Sequence, residues 1–277
     1  KAIADLVYLK DAKLTYTREW FPSFTTKLEF NYKIYQTIPG KIEFIKTDAF
    51  NVKDTIKKFN IFSPSINIVY TPGAKFLQGG DRVRFLKGKL PRFNFTYSFS
   101  NKKLGSHFNF HKMELIVDER LPSPIGHTIF KLIGTKLFGS APYPLLHIHA
   151  GNQSFMYNEE RFTNMLETEF IADQQLTLMI EHHFDGFFFN KIPGWRKLGL
   201  REVLTTKMAV SSLDPKKVSF SDLPANMKGI NGFYAEVGFA IENILKVVRF
   251  DFSWRLTQLN EPNIKKFRWA VSFSPSF

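Results

Sequence analysis

The stretch Phe267-Arg268-Trp269-Ala270-Val271-Ser272-Phe273-Ser274-Pro275-Ser276-Phe277 is where the fold question is posed. Phe267, Trp269, Val271, Phe273 and Phe277 share one parity, while Arg268, Ala270, Ser272, Ser274 and Ser276 share the other. Side chains alternate across a strand with a period of two, so this is a ribbon with one aromatic face and one small, polar face. A soluble sandwich turns its apolar face inward. A membrane barrel turns it toward lipid and keeps a watery interior. The ribbon alone leaves both readings open, and the rest of the chain has to choose.

Composition narrows the choice. Phe is the most informative residue type, 31 of 277 against 4 Trp and 9 Tyr. No run approaches the ~18 uninterrupted apolar residues that a membrane helix requires, and the mean hydropathy of -0.18 resembles a soluble protein's. A membrane barrel has this profile because half of every spanning strand faces water. The absence of Cys excludes disulfides, cysteine metal sites, a thiol nucleophile and a lipidated cysteine within the sequence. The chain opens on Lys1-Ala-Ile-Ala without a start Met or signal peptide, which reads as a mature product or a piece of a longer polypeptide. The net charge of +13 is spread along the whole chain with no nucleic-acid-binding motif, so no nucleic-acid partner is expected. Basic rims against anionic headgroups, or a basic lumen, account for it.

The same alternation recurs along the chain. In 12–20 the even positions Leu14, Tyr16 and Trp20 are apolar; in 25–37 Leu28, Phe30, Tyr32 and Ile34 alternate with charged or amide residues. Around Phe21-Pro22-Ser23 the two read as a hairpin. Residues 42–45 are a weaker strand candidate, and 51–63 show no clean period, which predicts a loop or short helix. Ile66, Ile68 and Tyr70 mark another strand. Phe93, Phe95, Tyr97 and Phe99 alternate with Arg92, Asn94, Thr96 and Ser98. In 107–118 the apolar parity switches between Phe110 and Met113, which predicts a bulge. Residues 127–138 form the next strand and 138–157 resist assignment. Residues 165–171 and 176–185 predict a hairpin around Asp173. Val203–Ser211, then Phe233 to Ile241, then Phe250, Phe252, Trp254 and Leu256 against Arg249, Asp251, Ser253 and Arg255 complete the set. These are about a dozen strands, several with the ~9–11 residues a tilted strand needs to cross a bilayer. With no helical pattern between them, the expected fold is all-β: a transmembrane, antiparallel, up-and-down barrel forming a single domain, 1–277. Phe93, Phe95, Tyr97, Phe99, Phe250, Phe252, Trp254, Phe267, Trp269 and Phe273 are then its lipid-facing residues.

Several segments also resemble a known family. Ala12-Lys-Leu-Thr-Tyr-Thr-Arg-Glu-Trp20, Tyr70-Thr-Pro-Gly-Ala-Lys-Phe76 and Phe138-Gly-Ser-Ala-Pro-Tyr-Pro-Leu-Leu146 carry the first part of the resemblance. Glu181-His-His-Phe-Asp-Gly-Phe-Phe-Phe-Asn-Lys-Ile-Pro193 and Arg196-Lys-Leu-Gly-Leu-Arg-Glu-Val203 carry the second. Together they resemble the C-terminal barrel of a Bacteroidota outer-membrane family with an N-terminal carboxypeptidase-regulatory-like domain. That barrel is similar to those of the BamA/TamA superfamily, which assemble or translocate outer-membrane proteins. The resemblance implies a sixteen-stranded barrel in the outer membrane of a Gram-negative bacterium, this chain being the C-terminal part of a longer one. The implied partners are outer-membrane lipid and other outer-membrane or periplasmic proteins. The superfamily's lumen-loop signature Val-Arg-Gly-Phe/Tyr is not found; the matching region reads Gly151-Asn-Gln-Ser-Phe-Met-Tyr157. No polypeptide-transport domains precede the barrel within the sequence.

Candidate chemistry is sparse. His147-Ile148-His149 puts two imidazoles on one face of an extended segment, but without a third ligand loop hydrogen bonding is the expected role. Glu181, His183 and Asp185 share the lumen-facing parity, where an acid/base cluster is conceivable. No Gly-x-Ser-x-Gly setting supplies a nucleophile, so structural ion pairing is expected instead. Arg249, Asp251 and Arg255, with Arg268 on the next strand, read as a lumen salt-bridge ladder. Phe187 to Trp195, interspersed with basic residues, reads as an interfacial aromatic belt. Phe273 and Phe277 resemble the C-terminal signal by which assembly machinery recognises outer-membrane clients. No enzymatic activity and no cofactor are expected. The expected role is an accessory or scaffold in outer-membrane protein assembly, export or surface presentation, with a small-solute pore or transporter as the alternative and a lumen or rim hydrolase ranked behind both.

Overall fold

A computed structural model describes residues 7–37, 44–47, 53–73, 75–79, 82–86, 91–218, 223, 227–230, 232–260 and 264–273. In chain order the strands are β1 (Val7–Phe21), β2 (Phe24–Thr37), β3 (Phe44–Thr47), β4 (Lys53–Ile56), β5 (Lys58–Tyr70), β6 (Lys75–Gly79), β7 (Arg82–Leu86), β8 (Arg92–Ser100) and β9 (Phe110–Ser123). There follow β10 (Gly126–Gly139), β11 (His147–Ile148), β12 (Ile171–Ala172), β13 (Gln174–His183), β14 (Arg201–Ser212), β15 (Phe233–Ile244), β16 (Val248–Arg255) and β17 (Phe267–Phe273). Eleven of them make one sheet in the order β1-β2-β5-β8-β9-β10-β13-β14-β15-β16-β17. Each strand of that sheet pairs antiparallel with the next long strand in the chain, the up-and-down barrel order. The pairs β3–β4, β6–β7 and β11–β12 are small hairpins or bridges inside the connections. Among the described residues the only helices are short 3-10 turns, and none is long and apolar enough to cross a membrane.

Burial shows which parity points where. Along β16, Phe250 and Trp254 are 37% and 44% exposed, whereas Arg255 is 3% exposed and Arg249, Asp251 and Ser253 are buried with it. Phe267, Trp269 and Phe273 on β17 are likewise exposed, as is Phe93 on β8; Phe95, Tyr97, Phe99 and Phe252 are half-buried on the same parities. The aromatic parity is therefore outside and the charged parity inside, the reverse of a soluble sandwich. One end carries the tight turns at 22–23, 124–125 and 245–247 together with the longer β5–β8 and β13–β14 connections, and the other end carries the remaining connections, 140–173 among them. Gly126 shapes one of these turns: its φ is 121°, and a Cβ there would lie 1.9 Å from the His183 carbonyl oxygen.

Four expectations differ from the structure. The described part of 51–63 contains no helix and forms β4 and the first half of β5. The period is hidden because Phe59 and Ile61 are apolar on the inward parity, where they pack with Tyr35 inside the barrel. The bulge expected near Phe110 is absent, and the β9–β10 and β8–β9 registers run without interruption. Phe110 is simply an inward-facing aromatic, buried in the same cluster. Residues 165–171 are not a hairpin arm, because β13 pairs with β10 and β14 while Ile171 belongs to β12. Asp185 lies beyond the end of β13, in a turn with φ 52°, and so stands outside the inward row. The weak candidate 42–45 falls partly outside the described residues, its described part opening β3, and Phe277 lies wholly outside them.

Candidate functional site, a connection seated inside the barrel

Residues 140–173, between β10 and β13, run back through the barrel and meet its wall on both sides. Their first part, Tyr143 to Leu146, packs with Tyr35 of β2, Phe59 and Ile61 of β5, Phe110 of β9 and Leu137 of β10. These inward aromatics give the segment an apolar seat. β11 and β12 then bring the two ends of the connection together, with His147 opposite Ala172 and Ile148 opposite Ile171. The chain between them crosses itself closely at Gly151, where a Cβ would lie 2.3 Å from the Leu166 carbonyl oxygen. Phe162, Met165 and Phe170 pack against Met179, Ala209 and Tyr234 of β13, β14 and β15.

The second part is held by buried charges of the wall. Glu236 of β15 accepts hydrogen bonds from the Thr163 N–H at 2.6 Å, the Asn164 N–H at 2.9 Å and the Tyr234 hydroxyl at 3.0 Å. Two successive backbone donors thus end on one carboxylate, as they would at a capped helix start. Arg255 of β16 forms a bidentate pair with Glu169, at 3.0 and 2.7 Å. Arg268 of β17 donates to the carbonyls of Asn152, Thr163 (2.8 Å) and Ser154 (2.9 Å). Lys207 of β14 donates to the carbonyls of Asn158 (3.0 Å) and Arg161 (2.5 Å). Asn164 donates to the Ser253 hydroxyl at 2.6 Å. Most of these bonds satisfy main-chain or charged groups in the buried interior.

Tyr157 sits where the wall charges converge. Its hydroxyl donates to Glu181 at 3.2 Å, and the guanidinium of Arg249 stands 4.4 Å over its ring. Arg249 in turn donates to both oxygens of Asp251, at 2.8 to 3.1 Å, and to Glu181. Burial, reinforced by Glu181, raises the Tyr157 phenol well above its ordinary value, so it remains a donor. Arg249, Asp251 and Glu181 are thus one network. Arg255 and Arg268, read from sequence as parts of the same ladder, instead grip the connection.

The remaining candidate residues fall elsewhere. His183 contacts Glu242 at 3.2 Å and Glu181 at 3.5 Å, and its ring stacks on His127, centroids 4.6 Å apart. His127 pairs with Asp185 at 3.0 Å. His147 and His149 do lie together, ring centroids 5.0 Å apart. Neither nitrogen of the buried His149 has a hydrogen-bond partner, contrary to the loop bonding expected of it. Burial lowers its pKa to about 4; that of His147 falls to about 3 through burial, then through His149 and Lys112, so both rings are neutral. No group of three or more potential metal ligands occurs among the described residues. In the belt segment Phe187, Phe188 and Trp195 are exposed, with the Lys191 ammonium 3.8 Å over the Phe187 ring. Sequence reasoning missed Lys207, Glu236 and Glu169. The signal was a charged row that only the register reveals, with Lys207 opposite Glu236 and Glu236 opposite Arg255.

Outward aromatics, an inward charged parity and a long connection seated inside define an up-and-down β-barrel with an occupied interior. The chain is similar in structure to BamA from Haemophilus ducreyi lacking POTRA domains 1-3, with a TM-score of 0.59 at 12% identity, covering 96% of this chain and 54% of that one. It therefore spans about half the length of that protein's chain. Residues 8–214 match the C-terminal domain of a family of unknown function, DUF5686, and the chain belongs to that family. No curated protein matches it.

Proposed function

We propose that this barrel stands in the outer membrane of a Gram-negative bacterium as a non-enzymatic accessory of outer-membrane protein assembly, export or surface presentation. The single observation that carries this reading is the connection held inside a BamA-like barrel. An interior occupied by protein and fixed by Glu236, Arg255, Arg268 and Lys207 suits a scaffold better than an open solute path. With the tight-turn end facing the periplasm, the end carrying the connection faces outward. The exposed Phe187, Phe188 and Trp195 then lie at the inner headgroups, where amphipathic aromatics settle. Its partners in this reading are outer-membrane lipid and other outer-membrane or periplasmic proteins. A Bacteroidota source, and a carboxypeptidase-regulatory-like domain ahead of the barrel, belong to the same proposal.

The test is depletion of the full-length protein in its native cell, followed by quantification of folded and surface-exposed outer-membrane proteins, alongside conductance of the purified protein in planar bilayers. Loss of specific outer-membrane proteins with little steady conductance is expected. An unchanged outer-membrane protein profile together with a steady open channel would establish the pore instead.

A further inference from the structure

On the outward face of the wall, β9, β10, β13 and β14 set their side chains in rows fixed by register. One row joins Leu115, Gly134, Leu176 and Val210, with Phe95 of β8 opposite Leu115. The next, one step further from the tight turns, joins Met113, Lys136, Gln174 and Ser212. These rows line an outward groove of about 470 Å³ over Gly134. That volume is in the roughly 300–1,000 Å³ range of small-molecule sites. All four strands stand inside the sheet, bonded on both edges, so the groove is complete within this chain.

The strand itself does not require this glycine. Its φ is not positive, and a Cβ there would meet only the Leu176 Cδ1, at 3.7 Å. A glycine in a strand interior weakens the strand, and marks a distortion of the ladder or a close approach from outside it. Neither register breaks at Gly134, which leaves the close approach.

The two rows indicate what approaches. The row holding Gly134 is wholly apolar and suits a hydrocarbon chain. The row beyond it carries a cation and two hydrogen-bonding groups, with the Gln174 amide donating to the Ser212 hydroxyl at 2.9 Å. Lys136 is exposed, its ammonium 5.2 Å from the centroid of the Phe138 ring. The outward residues around it, His111, Met113, Phe138 and Gln174, include no carboxylate. A cation on the lipid-facing parity is tolerated where headgroups are near, and there its complement is an anion of the membrane.

We infer that this groove binds one phosphorylated glycolipid of the outer leaflet. An acyl chain lies in the slot over Gly134, a phosphate meets Lys136, and hydroxyl or amide groups of the sugar meet Gln174 and Ser212. This rests on the outer-membrane placement proposed above, with the tight-turn end toward the periplasm, and not on the assembly role.

The experiment offers purified lipid A, in competition with phosphatidylglycerol, to the full-length protein in detergent micelles and reads retained lipid by native mass spectrometry. A single retained lipid A, preferred over phosphatidylglycerol, is expected. Gly134→Leu fills the slot and should lower retention about tenfold, the effect of roughly two methylene groups no longer buried. Lys136→Gln, a change at an exposed position, should lower it about fivefold, the share of one cation at an anionic surface. Failure to retain lipid A, or retention unchanged in either variant, overturns the site. Phosphatidylglycerol retained as well as lipid A overturns it too, by reducing it to a general contact with anionic lipid. Depletion reports on the assembly role independently. Client loss without lipid A retention rejects the site and keeps the role; retention with an unchanged protein profile rejects the role and keeps the site.

Discussion

Arg255 is almost wholly buried, with two of its nitrogens on Glu169 and two further N–H donors on the carbonyls of Thr257 and Gln258. Arg255→Ala leaves the Glu169 carboxylate buried without its partner, at an expected cost of about 3–5 kcal/mol. Replacing both by apolar residues, as in Arg255→Met with Glu169→Leu, should recover much of that loss. The pair Lys13–Glu29, 2.9 Å apart with the lysine largely exposed, is the control: Lys13→Ala should cost at most about 1 kcal/mol. Urea unfolding in detergent measures all three. A second residue-scale expectation concerns pH. His147 and His149 bind protons more weakly in the folded connection than when it is unfolded. Its stability is therefore complete above the ordinary imidazole value and declines as pH falls from about 6.5 toward about 4. Amide exchange across 141–149, corrected for intrinsic rate, should be faster at pH 5 than at pH 7, and His149→Leu should remove part of that difference. These roles were not visible in sequence. His149 looked like a loop hydrogen-bonding residue, and nothing local said that it would be buried against Phe162.

At the scale of elements, legibility followed the contrast between a strand's two faces. β16 was readable because every inward position is polar and every outward one apolar, so the period of two is unbroken. The first half of β5 was not, and β9 was read with a bulge it lacks, because Phe59, Ile61 and Phe110 are apolar on the inward face. There the barrel wall lies against protein instead of water, and the alternation that marks a spanning strand fades locally. The same logic yields a sharp expectation for β16. Phe252 stands mid-strand on the outward parity, so Phe252→Arg should destabilise the folded barrel by about 2–4 kcal/mol in a bilayer, the cost of a cation near its midplane. Phe252→Leu keeps the face apolar and should cost far less. Folding into vesicles across a urea series separates them; equal effects of the two substitutions would argue that Phe252 does not meet hydrocarbon.

At the scale of the molecule, the alternation specified the sheet and its outward face but not its contents. The residues that hold the inner connection come from five strands, from Glu181 on β13 to Arg268 on β17, and meet only once register and curvature are set. Lys207, Glu236 and Arg255 are far apart in sequence and adjacent across β14, β15 and β16. A lumen expected to be wet is in this region packed with chain, so the charged parity serves less to solvate the interior than to grip what fills it. That arrangement requires the aromatic parity to face lipid. Bromines placed at known acyl-chain depths quench Trp fluorescence on contact, and they test this most directly in full-length variants retaining either Trp254 or Trp269 as sole tryptophan. Strong quenching of both in brominated bilayers, with little access for aqueous acrylamide, is the expected result. Two tryptophans indifferent to the bromines would place this face away from hydrocarbon and contradict the account.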